Sequence, residues 1–340
     1  MRASGDYREE WKKRRRRRRS SGILGTVLRA LGAGLLGVGS WLLARERNGR
    51  RPETPPTPGL GIDDFPISGS PEKPGTSDTP WESFAVPGPE GGLHVRRMEG
   101  EDRLPVLFVH GLAGHGRHWR TQMLSLAGEG HPVAAPDLRG HGRSDPSGTL
   151  RYGIEDYAED LSAVVEALGW RRFVFVAHSL GAAVCIEHGA ENDPGGRVAG
   201  LFLVDPNGDM TGADDTAVEE LVEDVRVAPH REFELHFHQF LAQSPAEVSE
   251  AVLADLVATP PEVLAESFEA SMTYPTLRRL RELEMPVELL ASPLNRGDRS
   301  LWELAREIPS TGVPRVGHWI MLDRPRAVTR RLREFLASLD

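Results

Sequence analysis

The chain of 340 residues contains a single cysteine, Cys185. No intrachain disulfide can therefore form, and cysteine usage gives no indication of the redox compartment. The sequence also lacks an internal repeat, a P-loop and a dinucleotide-binding fingerprint. It has neither a disulfide framework nor a recognisable nucleotide site.

Outside the N-terminal end of the chain, basic residues are outnumbered by acidic ones. Residues 1–51 carry 15 Lys and Arg against 4 Asp and Glu, whereas the remainder carries 26 against 46. The formal net charge of -9 therefore combines a basic arm with an acidic body. Because phosphate contacts need a basic face, the acidic body argues against nucleic acid as the main partner.

Composition divides the chain into three segments. Residues 1–47 form a basic arm with a candidate membrane anchor or signal segment, and residues 48–80 form a linker with eight prolines. The linker has no apolar periodicity and cannot bury a core, so we expect it to be disordered or extended. Residues 81–340 are long enough to bury a substantial core and are expected to form the folded domain.

The basic arm contains an unbroken run of cations, Lys12–Arg19, followed by a mainly apolar stretch, Gly22–Ala44. These 23 residues are enough to cross a hydrocarbon core of ~30 Å at ~1.5 Å per residue. Arg29 and six glycines within the stretch lower its hydrophobicity and helix propensity. The preceding cations predict a cytoplasmic N-terminus, which would place the folded domain outside the cytoplasm.

Several interpretations of this arm remain open. We favour an uncleaved membrane anchor over a cleaved signal peptide, because no clear small-x-small cleavage site follows Leu43. A disordered basic tail with a surface helix is a third possibility, and it would be compatible with a cytoplasmic protein. Nucleic-acid binding by the arginine run is the least favoured, since such runs are weak signals.

Strand-like and helix-like runs alternate through the folded domain, which predicts an α/β fold with a mostly parallel sheet and helices on both faces. The predicted strands are Val106–Val109, Val133–Ala135, Phe173–Val176, Leu201–Val204, Val287–Leu290 and Val313–Val316. Predicted helices outside the insertion are Tyr157–Leu168, Leu180–Ala190 and Pro325–Leu339.

The alternation stops between Val204 and Val287, where the sequence reads as helices only. The clearest of these helices are Phe233–Leu241, Ala246–Val257 and Pro261–Met272. An all-helical insertion of this size between two strands predicts a lid, at about residues 207–283.

The segment FVFVAHSLGA, at 173–182, places Ser179 between a buried strand and a helix. It matches the nucleophile-elbow pattern G-x-S-x-G, with Ala177 in place of the first glycine. At the start of the helix, the backbone N–H of Leu180 could stabilise an oxyanion. Taken alone, Ser179 would more simply be an N-capping serine.

Two further segments favour the catalytic interpretation. His110-Gly111-Leu112 follows a strand, and its glycine-punctuated loop could supply the N–H of Leu112 as a second oxyanion donor. His318 follows the last predicted strand and could remove the proton of the Ser179 hydroxyl. Ser179 and His318, with an acid between them, would follow the chain order of nucleophile, acid and histidine found in enzymes that have a nucleophile elbow.

Residues 104–340 resemble the α/β-hydrolase fold superfamily, in its capped, single-domain branch of serine hydrolases. DLRGHGRSD, at 137–145, matches the turn after the fourth strand of this branch, and GHWIMLDRP, at 317–325, matches the stretch around its catalytic histidine. The resemblance implies a lid between strands 6 and 7 and a triad that includes Ser179 and His318.

The usual triad acid of this family follows strand 7, where this chain has Asn295. Two carboxylates are alternatives, Asp205 at the end of strand 6 and Asp298 beyond the usual position. We favour Asp205, because a strand end positions a carboxylate more firmly than a glycine-containing loop. Asp205 could instead serve only the turn before Pro206.

The other polar residues suggest no metal or cofactor site. His236 and His238 lie at i and i+2 of a helix, with His230 nearby, so they would be a poor metal-binding set. His110, His141 and His178 are expected to form local hydrogen bonds, and Cys185 to be a small buried hydrophobe.

These features predict a serine hydrolase that cleaves a small, apolar carboxylic ester or related acyl compound through an acyl-enzyme. C–C bond hydrolysis, lactone opening and perhydrolysis remain open. The serine argues against haloalkane dehalogenases and epoxide hydrolases, which resemble this fold but use Asp. The alternative of another class is a non-catalytic, lid-gated binding protein or membrane-tethered scaffold. The sequence does not indicate an oligomeric state.

Overall fold

The computed structural model describes residues 80–193, 195–213 and 215–339. The basic arm, its apolar stretch and all but the last residue of the predicted linker therefore lie outside the described residues. Within the ranges that are described, no helix has both the length and the apolar character needed to cross a bilayer.

Eight strands form a single sheet. They are β1 (Glu82–Pro87), β2 (Gly92–Met98), β3 (Val106–Val109), β4 (Val133–Pro136), β5 (Phe173–His178), β6 (Val198–Val204), β7 (Val287–Ala291) and β8 (Ser310–Gly312). Their order across the sheet is β1-β2-β4-β3-β5-β6-β7-β8. β3 to β8 run parallel, whereas β2 pairs antiparallel with both β1 and β4.

Helices connect the strands and cover the sheet. They are α1 (Arg120–Ala127), α2 (Ile154–Leu168), α3 (Leu180–Glu191), α4 (Asp215–Val227), α5 (Pro229–Phe240), α6 (Ala246–Ala258), α7 (Pro261–Thr273), α8 (Thr276–Leu280), α9 (Leu301–Leu304), α10 (Ile320–Asp323) and α11 (Pro325–Ala337). A 3-10 turn, Gly116–Trp119, precedes α1.

The core lies on both faces of the sheet, as the alternation of side chains in β3 shows. Leu107 and Val109 pack with α2 and α3 on one face, whereas Val106 and Phe108 pack with α1 and α11 on the other. All four side chains are fully buried. Because neither face meets water, the strand is apolar throughout instead of alternating with polar residues.

Five of the six predicted strands are confirmed within a few residues at their ends, but the strand predicted at Val313–Val316 is wrong. The last strand is β8, which ends at Gly312, and Val313–Val316 is a loop. Pro314 has no N–H and cannot extend the ladder with β7. Val316 is apolar because the loop itself is buried there.

The hairpin of β1 and β2 was not predicted. β1 begins with the polar residues Glu82 and Ser83 and has several exposed positions, and β2 buries the polar side chains of His94 and Arg96 next to Leu93 and Val95. The alternation of apolar and polar residues by which a half-buried strand is recognised is therefore obscured.

Five helices, α4 to α8, occupy the chain between β6 and β7. The three helices predicted here are present as α5, α6 and α7, and α4 and α8 extend the all-helical segment at both ends. Phe233 of α5 packs against Phe268 of α7 with ring centroids 5.4 Å apart. The inner side of this helical insertion forms part of the cavity described below.

Candidate active site

Ser179 lies at the sharp turn between the end of β5 and the start of α3. Its backbone has φ +51° and ψ −121°, a conformation that is strained for any residue other than glycine. The turn is closely packed, since a Cβ on Gly181 would lie 2.5 Å from the carbonyl oxygen of His110. Ala177, on the other side of the serine, is fully buried. Small residues on both sides therefore allow this strained turn to form.

The predicted oxyanion residues line the same cavity as Ser179. Leu180 is the first residue of α3, so its N–H has no carbonyl acceptor one turn earlier in the helix. The loop that carries Leu112 lies directly against the serine, because a Cβ on Gly111 would be 2.9 Å from the Cβ of Ser179. Leu112 and Leu180 both contribute to the cavity wall.

His110 holds this loop in place through one local hydrogen bond, as the sequence suggested, and one hydrogen bond to the turn at 137–145. Its Nδ1 donates to the carbonyl oxygen of Gly111 at 2.7 Å, and its Nε2 accepts from the N–H of Leu138 at 2.9 Å. Burial lowers the pKa of His110 well below its usual value, so the ring stays neutral and can both donate and accept.

The turn at 137–145 supports the segment that follows Leu112. Asp137 accepts hydrogen bonds from Arg96 Nη1 at 2.6 Å, from the N–H of Gly116 at 2.7 Å and from the N–H of Arg143 at 2.9 Å. Burial alone would raise the pKa of Asp137, but the hydrogen bond with His94 and the charge of Arg96 hold it well below its usual value. The motif therefore contributes an ionised structural carboxylate.

The structure places Asp205 beside His318. Nδ1 of His318 lies 2.7 Å from Oδ2 of Asp205, whose side chain is fully buried. Asp205 also accepts from the N–H of Ser292 at 2.7 Å and from the Ser292 hydroxyl at 2.9 Å. Three donors therefore hold the carboxylate at the end of β6, with one oxygen directed at the imidazole.

The other two candidates for the acid position lie elsewhere. Asn295, at the usual family position, donates from Nδ2 to the carbonyl oxygen of Pro206 at 2.6 Å. It therefore supports the segment that follows Asp205. Asp298 is exposed at the cavity wall, and the hydrogen bonds of the described residues include none between its carboxylate and His318.

The loop that carries His318 is held by the helical insertion. The N–H of His318 donates to the carbonyl oxygen of Phe240 at 3.0 Å. Oδ2 of Asp323 accepts from the N–H of Gly317 at 2.5 Å and from the Ser244 hydroxyl at 3.0 Å. The position of the imidazole therefore depends on contacts with the end of α5 and the residues just after it.

His178, next to the candidate nucleophile, is a second support for this loop. Its Nε2 donates to the carbonyl oxygen of His318 at 3.1 Å, and the two rings lie 4.5 Å apart. Burial and the nearby charge of His318 lower the pKa of His178 well below its usual value. The sequence predicted a local hydrogen bond for His178, but its partner is the carbonyl of His318, 140 positions away in the chain. His141 does bond locally, to the carbonyl of Arg139.

Sequence reasoning missed Asn207. The hydroxyl of Ser179 donates to Oδ1 of Asn207 at 3.0 Å, two residues beyond Asp205 along the chain. Proximity to Asp205 was the one signal that could have pointed to it. In this conformation the serine proton is directed at an amide oxygen, so the hydroxyl must turn before the imidazole of His318 can accept that proton.

A cavity of about 250 Å³ opens above these residues. The helical insertion contributes most of its apolar wall, through Met210, Leu221, Phe233, Phe237, Phe268 and Met272. His236 is also part of the wall, and burial lowers its pKa. His238 is exposed, and His230 bonds to the carbonyl of Thr259, so these three histidines do not converge on one site.

The sheet order, the strained serine after β5 and the histidine loop after β8 define an α/β-hydrolase architecture. The sequence profile of the alpha/beta hydrolase family matches residues 106–331. This match covers more than half of the chain, and the protein belongs to this family.

Individual relatives have several different activities. A non-heme chloroperoxidase of Streptomyces lividans is 42% identical over 103 residues, which cover 30% of this chain and 37% of that protein. The chain thus spans little more than a third of that relative. The 2-succinyl-6-hydroxy-2,4-cyclohexadiene-1-carboxylate synthase of Serratia proteamaculans is 29% identical over 71% of this chain and 96% of its own length.

Among solved structures, a thermophilic esterase from Thermogutta terrifontis is similar with a TM-score of 0.63. It is 24% identical, and the match covers 77% of this chain and 99% of the esterase. At this level of identity the similarity is evidence for a shared fold alone.

Proposed function

We propose that the protein is a serine hydrolase that cleaves a small, apolar carboxylic ester or related acyl compound through an acyl-enzyme. The observation that carries the proposal is the 2.7 Å hydrogen bond between His318 and Asp205 on the wall of the cavity that also contains Ser179. A serine, a histidine and a buried carboxylate that converge on one cavity are the groups that acyl transfer requires.

In the proposed reaction the Ser179 hydroxyl turns from Asn207 to His318, loses its proton to the imidazole and attacks the acyl carbon. Asp205 orients the ring and stabilises its positive charge. The N–H groups of Leu112 and Leu180 stabilise the oxyanion. His318 then protonates the leaving group. In the second half of the reaction, His318 takes a proton from water, the water oxygen attacks the acyl carbon, and His318 returns the proton to Ser179 as the acyl–serine bond breaks and the acid leaves.

The cavity supports a small, apolar substrate. Its volume of about 250 Å³ is below the ~300–1,000 Å³ typical of sites for drug-sized ligands. Aromatic and methionine side chains of the insertion would contact the acyl group. We therefore expect p-nitrophenyl butyrate to be cleaved more efficiently than p-nitrophenyl laurate.

The same groups could open a lactone, cleave a C–C bond or form a peracid, because each of these reactions can begin with an activated serine. The likeness to a chloroperoxidase gives specific support to the peracid alternative. Peracid formation from acetate and hydrogen peroxide, measured beside ester cleavage, would distinguish this activity from simple hydrolysis.

The first test uses a fluorophosphonate probe, which labels activated serines. We expect labelling of the wild-type protein and of Ser271→Ala, but none of Ser179→Ala. Ser271 is a suitable control because it also lines the cavity, while its hydroxyl donates to the carbonyl of Phe268.

Equal labelling of Ser179→Ala and wild type would contradict the assignment of the nucleophile. A folded wild-type protein that neither reacts with the probe nor cleaves any ester would instead favour the non-catalytic binding or scaffold alternative. Circular dichroism of each variant establishes that it is folded.

A further inference from the structure

A second polar cluster lies beyond the loop that carries Leu112. His115 precedes the 3-10 turn that contains His118, and Asp255 lies on α6 of the insertion. Nε2 of His118 is 2.9 Å from one oxygen of Asp255, and Nε2 of His115 is 3.3 Å from the other. None of the three lines the cavity that contains Ser179.

We propose that His115, His118 and Asp255 form a divalent metal site of the zinc class. Their candidate ligand atoms all lie within 4.8 Å of one another. A tetrahedral zinc ion with bonds of ~2.0–2.1 Å has ligand atoms about 3.4 Å apart. The two nitrogen-to-oxygen distances of 2.9 and 3.3 Å are close to this spacing, so small side-chain shifts would accommodate the ion.

The ligand types indicate which cations would bind. Two imidazole nitrogens and one carboxylate suit Zn²⁺, Co²⁺ or Ni²⁺, whereas Mg²⁺ and Ca²⁺ prefer oxygen ligands throughout. Three protein ligands leave a fourth tetrahedral position for water. His115 immediately precedes the turn that contains His118, and the two rings lie side by side with their centroids 4.6 Å apart.

The surroundings of the two rings also suit a metal. Nδ1 of both histidines is buried and has no hydrogen-bond partner within the part of the chain that the structure describes. Apart from Asp255, no described protein contact fixes the tautomer of either ring.

A metal at this position would connect two distant parts of the fold. His118 and Asp255 are separated by 137 residues in the chain. One belongs to the segment that follows Leu112, and the other belongs to the helical insertion. The metal would therefore fasten the insertion to the loop that carries Leu112 (the oxyanion loop) without contacting substrate, in a chain whose single cysteine cannot form an intrachain cross-link.

Calorimetric titration of the EDTA-treated full-length protein with ZnCl₂ tests the site. We expect one equivalent to bind and the melting temperature to rise, because a ligand that binds only the folded state stabilises it. Asp255→Asn keeps the shape of the side chain but loses its charge, and should weaken zinc binding at least about tenfold. His238→Gln is the matched control, since His238 is an exposed histidine beside a single Glu.

His118→Gln removes a second ligand and should weaken zinc binding similarly. If Asp255→Asn does not fold, His115→Gln replaces it, because His115 is only half-buried and its loss should perturb the core least. Failure of the wild-type protein to bind zinc, or wild-type affinity in the folded ligand variants, would overturn the proposal. Neither result would affect the proposed hydrolase activity, which does not use these residues.

Discussion

Asp205 shows how much of the candidate site depends on one side chain. It is buried at the end of β6, accepts two hydrogen bonds from Ser292 and lies 2.7 Å from the ring of His318. At the usual family position, Asn295 instead bonds to the backbone just after Asp205. Asp205 thus places a carboxylate against His318, whereas Asn295 holds the segment that follows Asp205.

We expect Asp205→Asn to lower the turnover of a p-nitrophenyl ester at least about 100-fold, since the amide cannot stabilise an imidazolium by charge and the equivalent change in a serine protease costs ~10⁴. Asp298→Asn should change turnover less than about threefold, because an exposed charge interacts weakly. Steady-state kinetics with both purified variants measure the difference.

Thermal unfolding of the two variants is the necessary companion measurement, because Asp205 is also bonded to Ser292. A large loss of turnover in folded Asp298→Asn, with little loss in Asp205→Asn, would assign the acid to Asp298 instead.

At the scale of single elements, α3 is tightly packed around Gly181 near its start and less tightly packed around Gly189 near its end. A Cβ on Gly181 would lie 2.5 Å from a backbone carbonyl of the oxyanion loop, an atom that cannot easily move. A Cβ on Gly189 in the same helix would meet the ends of Leu283 and Met285 at 3.1 and 3.5 Å, and these flexible side chains can adjust.

We therefore expect Gly181→Ala to lower the free energy of unfolding by about 1–3 kcal/mol, the usual cost of overpacking. Gly189→Ala should remain within about 1 kcal/mol of the wild type, since the better helix propensity of alanine offsets the tighter contact. Urea denaturation measures both values. Equal destabilisation by the two substitutions would show that helix packing against the oxyanion loop is not the constraint.

At the scale of the whole molecule, the acidic body and the basic N-terminal arm are expected to have different surroundings. The apolar stretch 22–44 is long enough to cross a bilayer and follows eight consecutive cations. We propose that it anchors the protein in a membrane, with residues 48–80 as the tether and the folded domain outside the cytoplasm.

Cell fractionation tests this proposal. Full-length protein should sediment with membranes and resist extraction by high salt, because burial of an apolar helix is not screened by ions. Protein that begins at Trp81 should stay in the supernatant. Recovery of the full-length protein in the supernatant at low salt would contradict membrane anchoring, and release by salt alone would indicate electrostatic adsorption by the arginine run.

Local sequence pattern was sufficient to predict much of the fold of this protein. The apolar runs located β3 to β7, because strands buried on both faces leave continuous signals, and the glycine and alanine around Ser179 revealed the sharp turn. The β1-β2 hairpin and β8 were not predicted correctly, because their short or half-polar segments owe their conformation to the neighbouring strands.

Tertiary structure decided what no local pattern could. Asp205, His178 and Asn207 acquire their contacts with His318 and Ser179 only when β5, β6 and the loop after β8 meet at one edge of the sheet. His115, His118 and Asp255 likewise come together only when α6 folds back over the chain. Hydrogen bonds depend on distances between atoms in space: the position of Asp205 at a strand end favoured it as the partner of His318, but only the folded chain gives the distance between the two side chains.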